Sequence, residues 1–137
     1  MQTISDIMTT GVHTLRPEST LLDAEKLMRE YKVRHIPVVD DENKVLGVLS
    51  QKEFLREAFR ITDKFGAHHL QDYLAKTPVG DCLDKEVTCI SSAQPLRDAG
   101  QALQQEKHGC LLIASEEKTL LGIVTSQDFV KLALSLL

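Results

Sequence analysis

The sequence lacks the side chains and the charge that nucleic-acid-binding proteins use. It contains no Trp and only 4% aromatic residues, so it offers few rings on which single-stranded bases could stack. Its net charge is −4 at pH 7, which gives no general attraction to nucleic acid or to an anionic membrane. We therefore expect no nucleic-acid partner, and any anion that this protein binds must be held by a local group of residues.

Cysteine is also scarce, and its spacing excludes the common cysteine-based sites. The three cysteines, Cys82, Cys89 and Cys110, are odd in number and form no C-x-x-C pair of the kind that binds zinc or undergoes redox exchange. We expect buried free thiols in a reducing compartment. The adjacent His68 and His69 cannot face the same way on a helix and have no strong third ligand beside them, so no metal site is predicted.

Long apolar runs are missing as well. No stretch approaches the ~20 residues that a membrane helix needs, and the N-terminus has no basic flank followed by an apolar run, as a signal peptide would have. We therefore expect no membrane association and a cytoplasmic location. The hydrophobic content of 42% and charged content of 26% are ordinary for a globular protein. A chain of 137 residues needs no disulfide or metal to fold.

What the sequence does contain is an internal repeat. Residues 4–58 match, without a gap, the residues that lie a constant number of positions later in the chain. We call this constant shift the repeat offset. Matched pairs include Asp6 and Asp81, Leu21 and Leu96, Asp23 and Asp98, Ala24 and Ala99, Lys32 and Lys107, Leu46 and Leu121, Gly47 and Gly122, and Phe54 and Phe129. We predict a first copy at residues 1–60, a helical connector at 61–78 and a second copy at 79–137.

Each copy has the pattern of one β-α-β-β-α unit. A short β-rich stretch, at residues 12–15 and again at 87–90, precedes a segment with apolar residues at helical spacing. Ser19 or Thr20 is positioned to cap the first of these helices. Two apolar segments around a charged turn then predict a hairpin, which a second helix follows. The hairpins are predicted at 35–50 and 110–125, and the second helices begin near Gln51 and Ser126.

One such unit has too few strands to bury both faces of its sheet, so two units must pack together. The predicted fold class is α+β with layers of the α/β type. It consists of two pseudo-symmetric β-α-β-β-α units packed sheet to sheet.

These units contain short motifs that resemble those of a tandem pair of CBS domains, also called a Bateman module. The motifs are ISDIMT at 4–9, TLRP at 14–17, KVRHIPVVD at 32–40, GVLS at 47–50 and GIVTSQD at 122–128. Each motif is weak alone, but their repetition in order at a fixed period is distinctive. The resemblance covers almost the whole chain and is closest to a stand-alone CBS pair. It implies AMP, ADP, ATP or S-adenosylmethionine bound in clefts between the copies, and two modules paired as a disc-like homodimer.

Thr125 and Asp128 form the sharpest candidate site, where a strand is followed by a helix. Free N–H groups at a helix N-terminus attract phosphate, and the Thr hydroxyl adds a donor. A short carboxylate nearby can hold the two ribose hydroxyls, as acids do in dinucleotide sites. The alternative is a helix cap, and Ser50 with Glu53 fits the capping-box template better. The resemblance favours ligand binding for the first pair and capping for the second, because Glu departs from the family's Asp.

The resemblance further implies that the acid of one copy faces the loop before the hairpin of the other. Asp128 would then face the basic loop of copy one, whose cations can neutralise phosphate and whose Arg34 can do so bidentately. The backbone of that loop and residues 12–14 would frame the adenine. The alternative is a solvated basic turn at a helix end, where cations suit the helix dipole. The predicted principal site comprises Thr125, Asp128, Arg34, His35, Lys32, Val33, Val12 and Thr14.

A weaker second cleft is predicted from the opposite pairing of the copies. It would combine Ser50 and Glu53 with Lys107 and His108, where only one firm positive charge is present. The extra methylene of Glu53 would also displace its carboxylate relative to the sugar. We expect this cleft to be weak, empty or suited to a less charged ligand.

These features favour a regulatory sensor over an enzyme. The sequence shows no nucleophile–base pair, set of metal ligands or Gly-rich phosphate loop, so no catalytic residue and no required cofactor are predicted. A bound nucleotide would favour one relative orientation of the copies, and a separate, unidentified protein would respond to the change. The alternative is a ligand-free structural module for dimerisation or interaction.

Overall fold

The computed structural model of the protein describes residues 3–106 and 109–137. Helices and strands are mixed along this part of the chain, which confirms the predicted α+β class. The helices are α1 (Ile4–Ile7), α2 (Leu21–Tyr31), α3 (Gln51–Phe65), α4 (Leu70–Leu74), α5 (Leu96–Gln105) and α6 (Ser126–Leu136), with short 3₁₀ helices at Ala67–His69 and Val79–Asp81. The strands are β1 (His35–Val39), β2 (Val45–Ser50), β3 (Cys89–Ile90), β4 (Cys110–Ala114) and β5 (Leu120–Thr125).

The predicted hairpins and helix starts are confirmed. Strands β1 and β2 pair in one sheet, and β4 pairs antiparallel with β5 in the other. Helices α3 and α6 begin at Gln51 and Ser126, as expected. Thr20, rather than Ser19, caps α2, because its hydroxyl accepts the Asp23 N–H at 3.2 Å and its own N–H donates to the Asp23 carboxylate at 2.9 Å. This reciprocal capping box fixes where α2 begins.

The β-rich stretch predicted at 12–15 is reduced to a single parallel bridge at Leu15. The Leu15 N–H donates to the Pro37 carbonyl of β1 at 3.0 Å. The next bond of a parallel ladder would need an N–H at Pro37, which proline lacks. Copy two has Leu112 at the matched position, and its N–H donates to the Thr88 carbonyl at 3.0 Å. There the ladder continues, and β3 pairs in parallel with β4.

The chain divides into two compact units that combine parts of both copies. The copy-one unit comprises residues 13–41 and 46–85, and the copy-two unit comprises residues 1–12, 42–45 and 86–137. The leading segment of each copy therefore lies in the unit built mainly from the other copy.

Equivalent backbone bonds attach the two exchanged segments. In the copy-two unit, Thr9 and Ile123 exchange both backbone hydrogen bonds, at 2.9 and 3.0 Å. In the copy-one unit, Asp84 and Val48 do the same at 2.9 and 3.0 Å. The repeat offset relates Thr9 to Asp84 and Val48 to Ile123, so the exchange is symmetric with respect to the repeat.

Each unit has its own hydrophobic core, which includes a residue from the exchanged segment. Val79 is fully buried in the copy-one core, and Ile4 is fully buried in the copy-two core. The buried copy-one core is Leu15, Leu21, Ala24, Ile36, Val38, Leu49, Ile61, Leu74 and Val79. The buried copy-two core is Ile4, Ala99, Leu111, Ile113 and Val124.

The prediction of three buried thiols is wrong for Cys89. Cys110 is buried in the central strand β4 and Cys82 is half-buried, but Cys89 is exposed. It lies on β3, at the edge of the sheet, where alternate side chains point to solvent. Burial raises the pKa of the Cys82 thiol to about 11, and the carboxylates of Glu57 and Asp81 act in the same direction. The Cys82 thiol is therefore protonated near neutral pH, which makes it a poor nucleophile.

Candidate functional site

Thr125 and Asp128 lie where β5 ends and α6 begins, in the copy-two unit. Both residues are half-buried, and the Thr125 N–H donates to Asp128 Oδ2 at 2.8 Å. Within the described residues, the other carboxylate oxygen of Asp128 accepts no hydrogen bond. Asp128 thus contributes to the helix cap and still has an acceptor available. A hydroxyl-bearing ligand suits such a group.

Ser50 and Glu53 occupy the equivalent positions in the copy-one unit, but they are buried. Their exposed fractions are 4% and 6%. The Ser50 N–H and hydroxyl both donate to Glu53 Oε1, at 3.1 and 2.6 Å, and the Glu53 N–H donates to Ser50 Oγ at 3.4 Å. This is a complete capping box, and it directs the carboxylate back onto its own helix end.

The basic loop of copy one connects α2 to β1. Lys32 adopts the left-handed conformation, with φ 54° and ψ 41°, and its side chain is exposed. Val33 is half-buried, Arg34 is exposed, and His35 is half-buried as the first residue of β1. The Gln51 N–H donates to the Arg34 carbonyl at 2.8 Å, which ties this loop to the start of α3.

A cleft of about 350 Å³ lies beside this loop, within the copy-one unit. It contains three of the predicted site residues, together with residues of α2 and α3 that no sequence motif indicated. The lining residues are Glu25, Met28, Arg29, Lys32, Val33, Arg34, Gln51, Phe54 and Leu55.

Other predicted site residues are not part of this cleft. Val12 and Thr14 are half-buried in a segment without regular structure; Val12 belongs to the copy-two unit and Thr14 to the copy-one unit. Lys107 and His108, predicted for the second cleft, lie outside the described residues. Because the principal site draws residues from both units, its assembly stays a prediction.

The described residues provide no metal site. No group of three or more His, Cys, Asp or Glu residues in residues 3–106 and 109–137 is placed to hold a metal ion. In the same part of the chain, no helix has the length and apolar character needed to cross a membrane.

A signal for the missed cleft residues was present in the sequence. Glu25 and Arg29 are spaced at i and i+4, which places them on one face of α2, and Lys32 follows directly after that helix. In copy two, the residues that match Glu25 and Arg29 are Gly100 and Gln104. A charged face present in only one of two related helices indicates a role that the shared fold does not require.

Comparison with known proteins identifies the family. A CBS-domain model matches residues 4–60 and 79–135. The CBS domain-containing protein YhcV of Bacillus subtilis (strain 168) is 30% identical over 128 residues, which cover 93% of this chain and 83% of YhcV. The crystal structure of CBSX2 in complex with AMP has a TM-score of 0.82 and 27% identity, covering 99% of this chain and 98% of that chain. CBSX2 comes from Arabidopsis thaliana.

A longer enzyme contains a similar segment. The inosine-5'-monophosphate dehydrogenase of Bifidobacterium longum (strain NCC 2705) is 32% identical over 124 residues. This match covers 90% of the chain but only 21% of the dehydrogenase, so the chain spans about a fifth of that enzyme's length. The repeat, the two units and these matches agree. The chain belongs to the CBS-domain family and carries two copies of that domain.

Proposed function

We propose that this chain is a regulatory sensor that binds an adenosine-type ligand and signals its presence to a partner protein. The observation that carries the proposal is the likeness to CBSX2, whose structure holds AMP and matches 99% of this chain at 27% identity. The candidate ligands are AMP, ADP, ATP and S-adenosylmethionine. The similarity to inosine-5'-monophosphate dehydrogenase covers too little of that enzyme to transfer its activity.

The local chemistry supports one principal site. Asp128 has a carboxylate oxygen available for a ribose hydroxyl, and Thr125 stands at a helix N-terminus that suits phosphate. Lys32 and Arg34 have no ion-pair partner among the described residues, so their charges are available to a phosphate. Because Glu53 is buried in its own capping box, we propose that the second cleft binds weakly or not at all.

Signalling requires the ligand to bind two states of the protein with different affinity. We propose that a ligand joining residues of both units favours one of their relative orientations. A partner that recognises that orientation would then respond to the concentration of the ligand.

A thermal-melting panel tests the proposal. AMP, ADP, ATP and S-adenosylmethionine are added separately, and at least one is expected to raise the midpoint, since a ligand that binds only the folded state at a hundredfold excess over Kd stabilises it by about 2.7 kcal/mol. Asp128→Ala should remove this shift. Asp23→Ala is the matched control, because Asp23 caps α2 as Asp128 caps α6.

Each of the two variants loses a comparable helix cap, worth about 1 kcal/mol, but only Asp128 is assigned a ligand contact. Equal loss of the ligand-induced shift in both variants would contradict the assigned site. No shift with any ligand at millimolar concentration would contradict the sensor proposal.

A dimerisation module is the second candidate function, and exposed apolar faces favour it. Leu55 and Phe59 on α3 are 41% and 69% exposed, and Val130 and Leu134 on α6 are 48% and 66% exposed. The repeat offset relates Leu55 to Val130 and Phe59 to Leu134. Large exposed apolar side chains at matched positions indicate an interaction surface, and we propose that a second copy of the chain covers it. Such a homodimer is compatible with either function.

A further inference from the structure

We propose that the cleft between α2 and α3 of the copy-one unit is itself a binding site for a small amphipathic anion, a molecule with an apolar body and one carboxylate or phosphate group. This goes beyond the proposed nucleotide site, because Met28, Arg29 and Phe54 have no role there. All the lining residues belong to one compact unit. The site is therefore complete without residues of the copy-two unit.

The apolar part of the lining suits a ring or a short alkyl chain. Met28, Val33, Phe54 and Leu55 contribute hydrophobic side chains to the cleft. Its volume of about 350 Å³ falls in the range of about 300–1,000 Å³ that is usual for small-molecule sites. Methionine and phenylalanine side chains adapt well to a flat apolar ligand.

The charged part of the lining suits an anion. Arg29 pairs with Glu25 at 2.6 Å, and the Arg29 side chain remains 69% exposed. Lys32 and Arg34 have no ion-pair partner in residues 3–106 and 109–137, so the cleft has an excess of positive charge. Arginine binds carboxylate and phosphate bidentately, and both groups would satisfy this arrangement.

The backbone holds the cations of the loop in place. Lys32 adopts the left-handed conformation, which is unfavourable for a residue with a Cβ. The bond from the Gln51 N–H to the Arg34 carbonyl, at 2.8 Å, fixes the other side of the loop. A left-handed residue is common where a helix ends, and here it sets the direction in which the loop leaves α2.

Copy two lacks most of the charged residues of this cleft. The positions in copy two that match Glu25, Arg29 and Arg34 are Gly100, Gln104 and Gly109. None of these three residues is charged. Gly100 lies beside Phe129, since a Cβ at Gly100 would be 3.5 Å from the Phe129 ring. Arg29 and Arg34 are therefore particular to copy one, whereas Lys32 has the counterpart Lys107 in the sequence.

The test titrates the full chain with four probes and follows backbone amide resonances by NMR. Phenyl phosphate and phenylacetate carry a ring and an anion, inorganic phosphate carries only the anion, and benzyl alcohol carries only the ring. Phenyl phosphate or phenylacetate, or both, should bind about tenfold more tightly than inorganic phosphate and benzyl alcohol. The reason is that the apolar and the charged parts of the lining both contribute to binding. Which of the two binds identifies phosphate or carboxylate as the preferred group. Equal affinity for all four probes would overturn the proposal.

Three variants separate this cleft from other sites. Arg29→Gln introduces the residue of copy two and should weaken binding about tenfold. Arg56→Gln is the matched control, because Arg56 is exposed on α3 and does not line the cleft. It should leave the affinity unchanged, and equal losses in these two variants would overturn the proposal.

Asp128 lies in the copy-two unit, so Asp128→Ala should also leave the probe affinity unchanged. A loss in this variant would place the probe in the proposed nucleotide site and overturn the cleft. The absence of a response to any of AMP, ADP, ATP and S-adenosylmethionine in the wild-type chain, with probe binding intact, would contradict the proposed function alone.

Discussion

The acids at the starts of α3 and α6, Glu53 and Asp128, differ by one methylene group. Glu53 is buried, and its Oε1 accepts both the N–H and the hydroxyl of Ser50. Asp128 is half-buried and accepts one N–H, from Thr125. For these two residues, the longer side chain completes a capping box, and the shorter one keeps a carboxylate oxygen that accepts no hydrogen bond from the described residues.

The glycines of the GVLS and GIVTSQD motifs are explained by packing against the exchanged segments. A Cβ at Gly122 would lie 2.8 Å from both Met8 Sδ and the Thr9 carbonyl oxygen. A Cβ at Gly47 would overlap the Asp84 carbonyl oxygen and the Leu83 side chain. Real Cβ atoms do not approach other atoms this closely, so these positions require glycine for steric reasons.

We predict that Gly47→Ala lowers the free energy of unfolding by about 1–3 kcal/mol, because the backbone of the exchanged segment must move to make room. Urea unfolding of the full chain measures the change. Gly100→Ala is the control: it lies in α5, where a Cβ would make only an ordinary contact with Phe129 at 3.5 Å. It should raise stability by up to about 1 kcal/mol, because Ala favours a helix. Similar effects of the two changes would contradict the steric explanation.

At the level of single elements, α3 and α6 both carry large exposed apolar side chains. Their exposed apolar residues lie one turn apart, at Leu55 and Phe59 and at Val130 and Leu134. A surface helix normally places such residues toward a core and polar residues toward solvent. The exposed apolar side chains occur at matched positions in both copies, so they are a property of the repeated unit.

We predict that Phe59→Glu weakens self-association roughly 30-fold or more, the effect of losing a central aromatic anchor from an interface. Sedimentation velocity over a range of protein concentrations measures it. Ala75→Glu introduces the same charge at an exposed position after α4 and should leave association unchanged. A wild-type chain that is monomeric at all concentrations would contradict the proposed homodimer.

The elements that local patterns determine were predictable from the sequence. The hairpins, the cap at Thr20 and the starts of α3 and α6 follow from apolar spacing and turn chemistry within a few residues. The shortening of the first strand follows from Pro37, but only once its pairing with Leu15 is known. The exchange of leading segments depends on contacts between distant residues, such as Thr9 with Ile123, and local patterns contain no such information.

The candidate site was predictable only in part, for the same reason. The motifs indicated Arg34 and Asp128 by resemblance. The cleft residues Met28 and Phe54 had the ordinary spacing of core positions, so nothing local distinguished them from buried residues. Whether they line a cavity depends on how α2 packs against α3, and no local pattern contains that information.

At the scale of the whole molecule, the two copies share a fold but differ in their chemistry. Copy one contributes the cations Lys32 and Arg34 and a closed capping box, whereas copy two contributes Asp128 with an available oxygen. An overall charge of −4 gives no general attraction for a nucleotide, so the proposed binding would depend on these local groups. We therefore predict one principal nucleotide site in each chain.

The most direct test is calorimetric titration of the full chain with whichever of AMP, ADP, ATP and S-adenosylmethionine gives the largest melting shift. We predict one ligand bound per chain, with heat that Asp128→Ala abolishes and Asp23→Ala preserves. Two sites of equal affinity, or no binding heat and no change in melting midpoint with any of the four ligands, would contradict a single principal site.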